Sequence, residues 1–135
     1  MDNEYNVLSD VIELARDRRR VEERDSNDII FSSLENTELS EEYYSKNKNL
    51  EDHLINLDIE VIRSLITSMY LGRDWYTFED KSFEDNYIWM KNHLKTTGGW
   101  NDKSILINQM LEKSPLDVYL ENYIDIKKKY HSNSN

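Results

Sequence analysis

The chain has 135 residues, 27 acids against 17 Lys and Arg, a formal charge of −10 and no cysteine. That length suits one domain with a modest core, and the missing cysteines remove disulfides, thiol chemistry and Cys-based metal sites, which fits a cytoplasmic protein. The acidity opposes direct nucleic-acid binding, which needs clustered Lys and Arg, and neither an apolar span of ~20 residues nor a signal-peptide pattern is present.

Taken in order, Val7, Leu8, Val11, Ile12 and Ala15 recur at helical spacing and predict an amphipathic helix over 4–23. Its end, RDRRRVEER, is charged except for Val21 and is expected to be a solvated helix end with short-range ion pairs. Residues 25–36, DSNDIIFSSLEN, are too short for periodicity to choose between a strand and a helical turn, so an irregular or extended segment is admitted near 28–34. Leu39, Tyr43, Leu50, Leu54 and Leu57 then predict one broken helix or two short ones, with SKNKN as the weak point.

Asp58 is the expected cap of the most apolar helix, whose stripe is Ile62, Leu65, Ile66, Met69 and Tyr70, and Gly72 is its expected stop. A further helix is predicted from Thr77 or Ser82 to Lys95, ended by TTGG; Trp89 falls off its stripe, either packed elsewhere or an exposed anchor. Residues 102–112 predict another short helix, and SPLD predicts the start of the last one, with Ser114 as cap and Pro115 at the first helical position. Residues 131–135 read as a frayed tail. With three glycines and one proline, and no hairpin turn or repeat, the expectation is an all-α single domain, 1–130, of five or six short helices.

LDIEVIRSLITSMYLGRDWY, followed later by SPLDVYLENYIDI, resembles a family of small helical bacterial proteins of unknown function. Its members carry a helix like L-x-A-L-M-W-x-G-R-G-D and end in a segment like P-L-L-x-D-Y-L-x-x-G-L. Leu65, Met69, Tyr70, Gly72, Arg73 and Asp74 match the first motif, and Pro115, Leu116, Tyr119 and Leu120 the second, over roughly 48–126. Here the glycine after the arginine is missing and Tyr70 stands where tryptophan is usual. The resemblance implies a helical fold and no assigned activity.

No metal site is expected from His53, His93 and His131, which lack a paired spacing, and no GxSxG, Walker or GxGxxG pattern is present. Neither a catalytic residue nor a cofactor is therefore expected. Arg73 with Asp74 is the strongest polar pair: it either caps the helix end or holds an anion. Trp75 and Tyr76 beside it are residue types that dominate binding hot spots. Residues 25–60 hold ten acids and two bases, net −8 of the −10. Within them Glu41, Glu42, Tyr43 and Tyr44 could embrace the Lys and Arg side chains of a partner, or simply cover the core edge, while 25–47 could also be a partly flexible connector.

The expected function is that of a small acidic, non-enzymatic protein that binds and inhibits or sequesters a basic protein partner, as immunity proteins and nucleic-acid mimics do. The alternatives are a small ligand-binding domain or enzyme with an anion-holding Arg73 loop, and a structural homo-oligomer subunit.

Overall fold

The computed structural model describes residues 3–31, 39–80 and 82–131. Among them are six α-helices and no strand: α1 (Asn3–Phe31), α2 (Glu41–Ile55), α3 (Ile59–Asp74), α4 (Phe83–Thr96), α5 (Lys103–Leu111) and α6 (Leu116–Ile126). A 3-10 turn, Trp75–Thr77, prolongs α3, and a π-helical turn, Lys127–His131, prolongs α6. The all-α architecture matches the expectation, and α3 is its centre, packed most extensively on α6 and also on α4 and α5. Leu65, Ile66 and Met69 of α3 are buried with Leu116, Leu120 and Tyr123 of α6.

The first helix is longer than expected. It has 29 residues, and the segment read as a strand or a turn continues it as far as Phe31; residues 32–34 of the expected extended stretch lie outside the described residues. No glycine or proline interrupts 3–31, so Asp25, Ser26 and Asn27, though they favour turns, do not break the ladder. Burial supplies the reason to continue, because Val21 and Asp25 are both turned inward.

Within RDRRR, Arg18 and Arg19 are structural, whereas Arg20 is exposed and pairs with Asp17 at 3.9 Å, as expected of a solvated helix end. Arg18 is 1% exposed, and its guanidinium donates to Asn47 Oδ1 at 2.8 Å, to the Leu111 carbonyl at 2.8 Å and to the Lys113 carbonyl at 2.7 Å. It thereby ties α1 to α2 and satisfies the Leu111 carbonyl, which α5 itself leaves unpaired, while the Lys113 carbonyl also accepts from the Leu116 amide. Burial pushes its pKa down, yet an arginine stays charged far above neutral pH. Arg19 grips the fully buried Asp117 of α6 with two nitrogens, Nε at 2.9 Å and Nη2 at 2.9 Å. Hydrogen bonding to that carboxylate pushes the Arg19 pKa up. Asp117 therefore secures α1 against α6.

Several helix ends also differ from expectation. α2 is unbroken through SKNKN, and its N-cap Ser40 accepts from the Tyr43 amide. Asp25 of α1 holds that cap, accepting from the Ser40 amide at 2.9 Å and from its hydroxyl at 2.6 Å. Asp58 occupies the N-cap position of α3 through its carbonyl, which accepts from the Ile62 amide, while its side chain makes no capping bond. Ser82 caps α4 and Asp102 caps α5 through their side chains. Pro115, not Ser114, is the N-cap of α6; the Ser114 hydroxyl donates to Glu22 of α1 instead. After α4 the chain turns through Gly98 and Gly99, whose φ values of 87° and 79° favour glycine.

Candidate functional site

Gly72 does not stop α3. The helix runs on through Arg73 and Asp74, and no positive φ is found there. A Cβ on Gly72 would meet the Tyr119 carbonyl oxygen at 2.0 Å and the Tyr123 nitrogen at 3.0 Å, so glycine is required for α3 to lie against the α6 backbone. The two stretches that carry the family resemblance thus pack on one another. Their closeness carries α3 past Gly72 and places Arg73, Asp74 and the turn after them at the surface.

Arg73 is engaged from two sides. Its Nε and Nη2 donate to Asp74 Oδ1 and Oδ2 at 2.8 and 3.0 Å, and its guanidinium carbon lies 4.7 Å from the Tyr70 ring centre. Hydrogen bonding to Asp74 pushes its pKa up. Among the described residues Arg73 bonds no helix-end carbonyl, and two of its five N–H donors are taken by a carboxylate that would repel an anion. Tyr70 in turn donates its hydroxyl to Gln109 Oε1 at 3.0 Å.

Trp75 and Tyr76 part company. Trp75 is 7% exposed and packs among Phe78, Phe83 and Tyr130 with ring centres 5.1–6.5 Å away, so it closes the end of the core and offers no surface to a partner. The 3-10 turn causes this, since it swings position 75 inward and position 76 outward. Tyr76 is 82% exposed.

The exposed tryptophan is Trp89 of α4, 53% accessible. Its ring stacks on His93, one helical turn on, at 5.0 Å and 6° between planes. Phe78 meets it at 5.6 Å and 82°, edge to face. This packing holds an indole at the surface, between two concavities. The smaller, about 280 Å³, is lined by Tyr70, Arg73, Asp74, His93 and Gln109 among others. The larger, about 610 Å³, is lined by Asp74, Thr77, Phe78, Glu79, Asp85, Asn86, Trp89 and Met90.

The larger cleft is rich in acceptors. Asp74 is shared with Arg73, whereas the exposed carboxylates of Glu79 and Asp85 have no ion pair among the described residues. Asn86 is 6% exposed. Its carboxamide nitrogen donates to the Asp80 carbonyl at 2.6 Å, leaving a second N–H and the carbonyl oxygen. The aromatic wall and acidic rim come from residues on either side of the α3–α4 turn, and Ser82, capping α4, sets the register that turns Asp85, Asn86 and Trp89 toward them.

The four expected contact residues of α2 are divided. Glu41 and Tyr44 are exposed. Glu42 accepts from Arg24 Nη1 at 2.8 Å, and Tyr43 is partly buried with its pKa pushed up by desolvation. Sequence reasoning missed Glu79, Asp85 and Asn86 as a set, because carboxylates are too common in this chain to stand out. The displacement of Trp89 from the apolar stripe of its helix was the one available signal.

Among the described residues no group of three or more His, Asp or Glu side chains is placed to hold a metal ion, and no helix is long and apolar enough to cross a membrane. Comparison with protein-family models, with curated proteins and with solved structures gives no match.

Proposed function

We propose that the protein is a non-enzymatic interaction module that binds, and thereby inhibits or sequesters, a basic protein partner. One observation carries the reading: an exposed tryptophan walls a cleft whose rim bears two carboxylates without ion pairs among the described residues. Aromatic area supplies contact energy, and uncommitted carboxylates supply steering and register for Lys and Arg. Glu41 and Tyr44 on α2 offer a second exposed acid and aromatic pair to the same kind of partner. The Arg73–Asp74 pairing speaks against an anion-holding loop, since the neighbouring carboxylate takes two of the guanidinium donors and would repel an anion. A cytoplasmic setting and membership of the helical family resembled by 48–126 belong to the same proposal.

The test is affinity capture from the native host at low and high salt, with wild type and the Glu79→Lys/Asp85→Lys double variant in parallel. Exposed charges are screened within about 8 Å at physiological ionic strength, so the complex should weaken steeply as salt rises. A captured protein that is basic, lost at high salt and lost in the double variant supports the reading. Capture indifferent to both salt and charge reversal would sink it.

A further inference from the structure

We infer that the outward face of α4 pairs antiparallel with the same face of a second copy of this chain, across a two-fold axis near the middle of the helix. α4 packs chiefly on α3 and on the C-terminal turn Lys127–His131, and it buries Phe83, Asn86, Met90 and Leu94. At roughly 100° per residue, the side turned away from these carries Asp85, Ile88, Trp89, Asn92 and Lys95, all of them exposed. Ile88 is 54% accessible and Trp89 53%, so two large apolar side chains stand together at the centre of an uncovered helix face. Contacts with His93 and Phe78 hold the Trp89 indole in place before any partner arrives, which lowers the entropy lost on docking against it.

Charge decides which occupant fits that face. Two chains of formal charge −10 repel one another at a distance, so a contact between copies needs a face whose charge is locally balanced. α1, α2 and α6 each hold an excess of acids. α4 instead holds Glu84 and Asp85 in its first turn and Lys91 and Lys95 further on, two acids against two bases. That order suits the dipole of the helix itself, and it also makes the face complementary to its own two-fold image. The midpoint of Phe83–Thr96 lies between Trp89 and Met90. A two-fold axis there sets Asp85 of each copy opposite Lys95 of the other, with Ile88 and Trp89 enclosed between the two pairs. Neither Asp85 nor Lys95 has an ion pair among the described residues, so both are available to the second copy. A basic partner would use the same indole and Asp85, so partner and second copy exclude each other; the pairing itself does not depend on that partner.

The experiment is analytical ultracentrifugation of the pure full chain from about 10 μM to about 1 mM, since one helix face per copy is a small interface and pairs weakly. Wild type should pass from one chain to two and no further, because a two-fold contact closes on itself. Asp85→Lys and Lys95→Glu each turn both attractions into repulsions, and each should raise the dissociation constant at least about tenfold. Mixed in equal amounts, the two variants should form a heterodimer of wild-type strength, in which every pair is again opposite in sign. Asp85→Lys also removes two units of net negative charge, so a dimer limited by general repulsion would tighten with it instead of weakening. Asp85→Asn and Lys95→Gln, which should each weaken pairing about threefold, replace the reversals if circular dichroism shows that a reversal disturbs α4. A wild type that stays monomeric throughout, a dimer indifferent to both sites, or reversed variants that fail to associate when mixed overturns the pairing. Charge-dependent capture of a basic partner by monomeric protein would leave the interaction-module reading standing after that failure.

Discussion

Replacing Gly72 separates two readings of the same residue. At an ordinary helix stop, alanine costs about 1 kcal/mol and asparagine less, because the position asks only for a left-handed backbone. In the packed arrangement the added Cβ lies 2.0 Å from the Tyr119 carbonyl oxygen, and ordinary contact begins at 3.4 Å, so α3 and α6 must separate locally by the difference, 1.4 Å. The obstacle is backbone and cannot rotate away. Gly→Ala inside a helix returns about 1 kcal/mol of propensity, while overpacking of this kind costs about 1–3 kcal/mol and occasionally more. Because the displaced surface is the most extensive helix pair of the fold, the cost should sit at the top of that range, and Gly72→Ala should lose about 2 kcal/mol net. Larger side chains should lose more, with Gly72→Asn worse than Gly72→Ala. Urea unfolding followed by circular dichroism measures the series. A Gly72→Asn variant as stable as wild type, or more stable than Gly72→Ala, would refute the close-packing account and restore the helix stop.

Two further outcomes follow from the buried polar groups. Arg18→Met keeps much of the side-chain volume but removes the donor from the Leu111 and Lys113 carbonyls and from Asn47; at about 1 kcal/mol for each net hydrogen bond, chemical denaturation should show a loss of about 3 kcal/mol or more. Asp25 should leave a signature in pH. Hydrogen bonds from the Ser40 hydroxyl and amide hold its carboxyl below its ordinary value, so the unfolded chain takes up that proton first as pH falls. Its contribution is present above about pH 4, the unfolded value, and is lost as pH falls through the lower folded value. The stability difference between wild type and Asp25→Asn should therefore shrink as pH drops below about 4, and thermal melts at stepped pH check it; a constant difference would mean that Asp25 does not hold the start of α2 through its charge.

Much of the architecture was legible in the sequence, and the failures share a cause. The stripe Ile62, Leu65, Ile66 and Met69 of α3 was read correctly because burial follows periodicity and does not depend on the identity of the partner. Arg18 continues the line Val11, Ala15 at spacings of four and three, so its position announced burial while its chemistry argued for solvent. Only carbonyls far along the chain, at Leu111 and Lys113, resolve that conflict. Gly72 likewise fits a helix stop until Tyr119 is placed beside it. Trp75 and Tyr76 are neighbours of similar type, and a single turn of 3-10 helix sends them to opposite environments, a distinction that no local propensity encodes.

The charge of the chain shows why the candidate site lies away from the segment with the greatest acidic excess. Within 25–60, Asp25 and Glu42 face Arg24, Asp52 faces Lys48 and Glu60 faces Arg63. Two of those cations, Arg24 and Arg63, come from outside the segment, so a net charge counted along the chain overstates the field at the surface it forms. Residues 61–135 are balanced in number, yet Lys127 pairs with Glu4, and Glu79 and Asp85 have no salt bridge among the described residues. A partner meets the carboxylates that the fold has not already neutralised. Those beside an exposed indole, at the rim of a concavity, combine long-range attraction with aromatic contact area.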